Sequence, residues 1–110
     1  MKLKTKIGGV PYKVEYVDGW HKVEHYGDER PLSGQIAYRR FSIRVDSSAP
    51  PEYQRRVLLH ELIHGVVQAY GVRELIGDSD RHLETPIDQL AIGLCEALES
   101  LGVELPSKRK

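Results

Sequence analysis

Apolar and polar residues alternate along the first part of the chain, which is the pattern of half-buried β-strands. In residues 4–17 the alternation is interrupted by Gly8-Gly9, a pair typical of tight turns, so two short strands joined in a hairpin are predicted. The alternation returns in residues 35–38 and 41–45, with Arg39-Arg40 as a tight connection between them. This second pair of stretches predicts another hairpin.

Apolar residues at helical spacing follow the second hairpin. A helix is predicted to begin at Pro51, because proline lacks only an N–H that the first helical turn leaves unpaired, and to run to about Tyr70. Gly71 supplies its C-terminal stop. Apolar residues surround this helix on nearly all sides, which indicates a central position. Residues 18–34, between the hairpins, have no periodicity and predict a loop that lies across a cleft.

A second helix is predicted near the C-terminus. Thr85-Pro86 resembles a helix start with proline at the first helical position, and the pattern ends near Leu101. Residues 73–83, which precede it, are predicted to be irregular. The predicted buried stripe of this helix consists of Ile87, Leu90, Ala91, Leu94, Leu98 and Leu101.

The composition is that of an ordinary globular protein, with 40% hydrophobic residues and 16 basic residues against 16 acidic ones. A chain of 110 residues is expected to form one domain, residues 1–110. The formal net charge of zero provides no broad field, so neither nucleic acid nor a membrane is expected as a partner. The single cysteine, Cys95, is expected to pack as a small apolar residue, and a cytoplasmic location is expected.

The residues that carry chemistry form an HExxH motif, His60-Glu61-Leu62-Ile63-His64. Residues four apart on a helix share a face, so both imidazoles can reach one zinc ion, while Glu61 flanks the metal and can take a proton from water. Two histidines and a glutamate are costly to bury in so apolar a segment unless they are paired or liganded. The alternative interpretation is a helix rim with two exposed histidines and a solvated glutamate.

A catalytic zinc ion usually has three protein ligands, so a third ligand is needed. Glu84 is the first choice, with Asp88 one turn later in a position to orient a ligating histidine through its free ring N–H. The two roles are exchanged if Glu84 lies outside the helix, in which case Asp88 binds the metal. His82 is a further candidate ligand.

The run from Leu59 to Gly65, followed by Glu84 and Asp88, resembles the zinc signature of the gluzincin metallopeptidases. It is also similar to the compact ImmA/IrrE-like proteins and to small HExxH proteins encoded by bacteriophages and prophages. In that last group, segments resembling residues 7–14, 34–38 and 90–94 recur in the same order. The resemblance therefore covers most of the chain.

The resemblance implies that His60 and His64 are zinc ligands, Glu61 the catalytic base and Glu84 the third ligand. Pro86 departs from the family pattern. A proline at that position would shorten the start of the second helix and shift the carboxylate just before it.

The expected fold is α+β and minimal zincin-like: a small antiparallel sheet of two hairpins packed on the central HExxH helix, with the second, C-terminal helix closing the site. The expected function is zinc-dependent hydrolysis of a peptide bond in a peptide or protein substrate, which includes the case of one specific protein. In this chemistry zinc lowers the pKa of bound water toward about 7, and Glu61 accepts and later returns a proton.

The sequence leaves two other functions open. One is a metal-stabilised binding or regulatory module of phage or prophage origin without efficient hydrolysis, and the other is a structural protein that binds no metal. Hydrolysis also needs a donor to the developing oxyanion. Tyr38, Tyr70, His25 and Arg81 each have suitable donors, and the sequence selects none of them.

Overall fold

The computed structural model describes residues 3–18, 34–71 and 80–108, and within these ranges the side chains of all residues except 80–84. Both predicted hairpins are confirmed. The first pairs β1 (Leu3–Ile7) with β2 (Val10–Val17), and the second pairs β3 (Gly34–Ala37) with β4 (Ser42–Asp46). The first turn needs its glycines, because Gly8 and Gly9 have φ of 60° and 79°, a region that disfavours other residues.

The two hairpins join in one four-stranded sheet with the order β1-β2-β4-β3. The expectation of an antiparallel sheet is wrong at the junction, because β2 and β4 are parallel and the sheet is mixed. The parallel register places Val14 beside Ile43 and Tyr16 beside Val45. Apolar side chains of both strands thus lie on the same face of the sheet. The parallel pairing of β2 and β4 is therefore explained by the burial of these side chains and not by the turns within each hairpin.

The predicted central helix is confirmed as α1 (Pro51–Tyr70), and it packs against one face of the sheet. Gly71 ends it in the left-handed conformation, with φ of 65° and its N–H bonded to the carbonyl oxygen of Val67. The buried apolar residues between helix and sheet are Ile7, Tyr12, Val14, Ile43, Val45, Val57 and Leu58. The opposite face of the sheet has no helix from the described residues against it.

Two glycines allow α1 to approach the sheet closely. A Cβ at Gly34 of β3 would overlap Cγ1 of Val57 and lie 3.2 Å from Cγ of Glu61. A Cβ at Gly65 would lie 2.7 Å from Cδ1 of Ile7 and 2.9 Å from Cδ1 of Ile36. The HExxH segment of α1 is therefore held against β3 by contacts that leave no room for a larger residue.

The second helix, α2 (Asp80–Ser100), begins earlier than predicted. Pro86 lies inside it, so the interpretation of Thr85-Pro86 as a helix start is wrong, as is the irregular structure expected for residues 80–83. Proline inside a helix removes one backbone hydrogen bond at a cost of about 3 kcal/mol, but tertiary contacts can outweigh that local preference. Residues 72–79 lie outside the described part of the chain, as does most of the predicted loop, residues 19–33.

The predicted buried stripe of α2 is correct only in part. Ile87 and Ala91 are fully buried, and Ile87 packs with Val67 of α1. Leu90 and Leu94 are each 44% exposed and Leu101 is 77% exposed, which corrects the prediction for these three leucines. Periodicity identified the helix but overestimated the width of its buried face.

The C-terminal segment (residues 103–108) returns to the start of α1, where the buried Gln54 side chain binds its backbone. The N–H of Lys108 donates to Oε1 of Gln54 at 2.8 Å, and Nε2 of Gln54 donates to the Lys108 carbonyl at 3.0 Å. The hydroxyl of Tyr16 donates to the carbonyl of Pro106 at 2.6 Å. Leu105 of the same segment packs against the core.

Within the described ranges, neither helix combines the length and the apolar character needed to cross a lipid bilayer.

Candidate metal centre

The HExxH motif lies in the middle of α1, so a regular helix fixes the spacing of its side chains. The Nε2 atoms of His60 and His64 are 3.2 Å apart. Their ring centroids are 4.8 Å apart, and the ring planes are inclined at 56°. Both rings are half-buried, and they converge on one point beside the helix, as the spacing predicts.

The separation of the two Nε2 atoms fits zinc coordination. Two nitrogens that each lie about 2.0–2.1 Å from one tetrahedral zinc ion are about 3.3–3.4 Å apart. The 3.2 Å distance between His60 and His64 is close to that value. The same distance also fits a hydrogen bond in which one ring donates and the other accepts, so the geometry alone does not require a metal.

Glu61 lies toward the sheet rather than toward solvent. Its residue exposure is 9%, and its Cγ lies near the backbone of Gly34 in β3. A solvated carboxylate on a helix rim, the alternative interpretation of the motif, does not describe this position. Glu61 follows His60 directly in sequence, so its side chain leaves α1 about 100° around the helix from that of His60.

Helix α2 brings a second carboxylate to the histidines. Oδ1 of Asp88 lies 3.5 Å from Nδ1 of His60, and the Asp88 side chain is 53% exposed. The contact is to the ring nitrogen that does not face His64, which is the arrangement by which a carboxylate orients a metal-ligating imidazole. The alternative in which Asp88 itself is the third ligand receives no support from this contact.

Glu84 is helical, one turn before Asp88, so its backbone lies on the same face of α2. Glu84 and Asp88 would exchange roles only if the helix began after Glu84. The helix begins at Asp80, so this condition is not met. The side chains of Glu84 and of the other candidate ligand, His82, lie outside the described residues. Among the side chains that are described, no group of three or more His, Cys, Asp or Glu is arranged to hold a metal ion.

The candidate oxyanion donors are not distinguished by the structure. The Tyr38 hydroxyl donates to the backbone carbonyl of His64 at 3.3 Å, and Tyr70 is 63% exposed at the end of α1. His25 and the side chain of Arg81 lie outside the described residues. The Tyr38 contact fixes the β3–β4 turn against the motif, a positional role that the sequence analysis missed.

Sequence reasoning also missed Gly34 and Gly65, which set the distance between the motif and the sheet. Gly65 follows the motif directly, and a glycine in the interior of a helix costs about 0.5–1 kcal/mol relative to alanine. A glycine found inside a predicted helix despite this cost indicates that the helix packs closely against a neighbouring element at that position. Gly34 gave no comparable signal, because glycine at the start of a strand is common next to a loop.

Comparison of the chain with protein-family models, with curated protein sequences and with solved structures finds no match.

Proposed function

We propose that this chain is a zinc-dependent metallopeptidase whose metal is held by His60, His64 and Glu84. The observation that carries the proposal is the convergence of the two Nε2 atoms at 3.2 Å, close to the spacing of two ligands of one zinc ion. The donor set fits the metal, since imidazole nitrogens and one carboxylate oxygen are ordinary ligands of catalytic zinc. Zinc held there would supply Lewis acidity for the polarisation of a carbonyl group and the activation of water.

The chain's own groups divide the remaining work. Glu61 accepts the proton released by the attacking water and returns it to the leaving amine. The Glu61 side chain is buried, with its Cγ near Gly34 of β3, and this packing restricts its movement. Asp88 lies 3.5 Å from Nδ1 of His60, where it would hold the ring in the orientation that leaves Nε2 free to bind a metal.

The first experiment is metal analysis of the purified protein after incubation with zinc and removal of the excess. The proposal predicts about one zinc ion per chain and its loss in His60→Ala. Glu84→Ala tests the third ligand, and Glu96→Ala, an exposed glutamate on the same helix, is its matched control. A wild-type chain that retains no zinc would overturn the proposal.

Hydrolysis is tested separately from binding by Glu61→Gln. This variant should retain zinc but lose peptide cleavage by about 100-fold or more, as expected for removal of a general base. Glu52→Gln, at an exposed position on α1, should retain both properties. Zinc binding without cleavage of any member of a diverse peptide library by the wild-type chain would favour the metal-stabilised binding module instead.

A further inference from the structure

Leucines of α2 that helical periodicity marks as buried are exposed in the folded chain. Leu90 and Leu94 are each 44% exposed, and Leu101 is 77% exposed. The N–H of Leu101 donates to the carbonyl of Ala97 at 3.3 Å, so the last helical turn includes Leu101. Ala97 is exposed as well, and the four residues follow one another at intervals of four, three and four positions. That spacing puts them on one side of the helix, and we call them the leucine stripe.

The histidines and the leucine stripe lie on opposite sides of the contact between the two helices. Ile87 of α2 packs against Val67 of α1 at that contact. Asp88 leaves α2 about 100° from Ile87 and reaches His60. The stripe residues leave α2 about 20–80° from Ile87 in the other rotational direction. The leucine stripe therefore faces away from the proposed metal centre.

Helix α1 extends the apolar surface beside the leucine stripe. Val66 and Tyr70 are 44% and 63% exposed. They leave α1 about 100° and 60° from Val67, in the rotational direction opposite to His60 and His64. Because α1 and α2 are antiparallel, the sides of the two helices that face away from the histidines adjoin. A contiguous exposed apolar surface of this kind is typical of an interaction site.

The leucine stripe itself is uncharged. Between Leu90 and Leu101 the charged residues are Glu96 and Glu99. Oε2 of Glu99 lies 3.7 Å from Nε of Arg55, so this carboxylate is directed toward α1. Glu96 leaves α2 at least about 100° from every residue of the stripe. An interface about a two-fold axis brings each group near its own copy, so a neutral surface favours a second copy of the chain over a charged partner.

The sizes of the stripe residues are complementary to those of a second copy when the two helices pack antiparallel. With the two-fold axis between Leu94 and Ala97, Leu94 of each copy lies over Ala97 of the other, and Leu90 lies opposite Leu101. A large side chain that faces a small one is the arrangement of knobs packed into holes. Gly93 is exposed beside this axis, and a Cβ there would meet no atom within 4 Å. The close approach of a second helix is therefore unhindered.

We infer that the chain forms a dimer in which two copies of α2 pack antiparallel through the leucine stripe. The stripe is about 17 Å long at a rise of 1.5 Å per residue, and α1 widens the surface by one helix, about 10 Å. A surface of this size is below the roughly 800 Å² per partner of a standard interface, so the dimer is weak and exchanges with the monomer. The inference does not depend on zinc or on hydrolysis, because the surface faces away from the histidines.

Sedimentation equilibrium of the intact chain at about 5 to 500 µM measures the association, with EDTA present so that no shared metal ion links the copies. The mean mass should rise with concentration from one chain toward two. Leu101→Lys should weaken dimerisation at least about tenfold, because it places an unpaired charge opposite Leu90. Its thermal midpoint should be retained, since Leu101 is 77% exposed. Gln89→Lys adds the same charge at an exposed position of α2 outside the stripe and should dimerise like wild type.

A mixture of two variants tests the antiparallel pairing. Leu90→Glu and Leu101→Lys should each dimerise poorly alone, whereas an equal mixture should recover a dimer with one leucine pair and one glutamate–lysine pair. In a parallel dimer position 90 would face itself, and mixing would restore nothing. A mixture with no more dimer than its components would overturn the antiparallel pairing. A wild-type chain that stays monomeric at about 500 µM, or equal weakening by Gln89→Lys and Leu101→Lys, would overturn the dimer itself.

Discussion

Oδ1 of Asp88 lies 3.5 Å from Nδ1 of His60, across the contact between α2 and α1. The other ring nitrogen of His60, Nε2, lies 3.2 Å from Nε2 of His64. Each side of the His60 ring therefore has a polar neighbour, one on the partner helix and one on its own. This relationship ties the orientation of a proposed metal ligand to the position of α2.

The first prediction concerns this carboxylate. Removing an outer-shell partner of a ligating histidine typically costs 10–100-fold in metal affinity, so Asp88→Ala should raise the Kd for zinc by that factor. Asp88→Asn retains an oxygen acceptor and should have a smaller effect. The measurement is a zinc titration against a chromophoric chelator. If Asp88→Ala binds zinc as tightly as Glu96→Ala, the carboxylate has no role in orienting His60.

Local patterns predicted the elements that local chemistry determines. The glycine turn at Gly8-Gly9, the proline start of α1 and the Gly71 stop all depend on residues adjacent in sequence, and the structure confirms each. The parallel junction of β2 and β4 depends on which surfaces the hairpins bury together. The periodicity of a strand does not specify the strand it pairs with or the direction of that pairing. The antiparallel arrangement expected for the whole sheet is therefore wrong where β2 pairs with β4.

The same division applies to the candidate centre. The convergence of His60 and His64 follows from helical spacing alone, and the structure places them together. Local preference would start α2 at Pro86, but the helix begins at Asp80 and contains this proline. Tertiary packing of the fully buried Ile87 overrides the local preference. The contact between Asp88 and His60 depends on how α2 packs against α1, so it could be found only in the three-dimensional structure.

The second prediction concerns the close contact between β3 and α1. Gly34→Ala should destabilise the fold by about 1–3 kcal/mol, because the new Cβ would overlap Val57. Val57 cannot turn away easily, since a β-branched residue in a helix has essentially one preferred rotamer. Urea unfolding measures the change in free energy.

Gly93 is the matched control for this substitution. It lies inside α2, and a Cβ there would meet no atom within 4 Å. Gly93→Ala should therefore stabilise the chain by about 0.5–1 kcal/mol through helix propensity. Equal effects of the two substitutions would show that Gly34 is not in tight contact with α1.

The third prediction concerns the buried amide of Gln54, which is fully buried. Its Nε2 donates to the carbonyls of Ala49 and Lys108, at 2.7 and 3.0 Å, and its Oε1 accepts from the Lys108 N–H. Gln54→Met keeps the volume but leaves these backbone groups without their partner. The loss should be about 2–4 kcal/mol, since each orphaned buried group costs about 1–3 kcal/mol.

Gln68→Met serves as the control, because Gln68 is exposed on the same helix and should tolerate the change within about 0.5 kcal/mol. Hydrogen exchange at the amide of Lys108 gives a second readout. It should accelerate in Gln54→Met and stay unchanged in Gln68→Met. Retained protection of that amide would mean that the C-terminal segment is held by other contacts.

The last prediction concerns the pH dependence of the Tyr16 contact. Burial raises the pKa of the Tyr16 phenol above its ordinary value near 10, and its hydroxyl donates to the Pro106 carbonyl at 2.6 Å. The protonated form is favoured in the folded state, so this stabilisation is fully present below pH 10 and is lost as pH rises through the folded-state pKa. Tyr16→Phe should cost about 1 kcal/mol at pH 7.

The difference in unfolding free energy between wild type and Tyr16→Phe should shrink above pH 10. Tyr70→Phe, at an exposed position, is the control and should match wild type throughout. A difference that stays constant to pH 11 would contradict the assigned hydrogen bond.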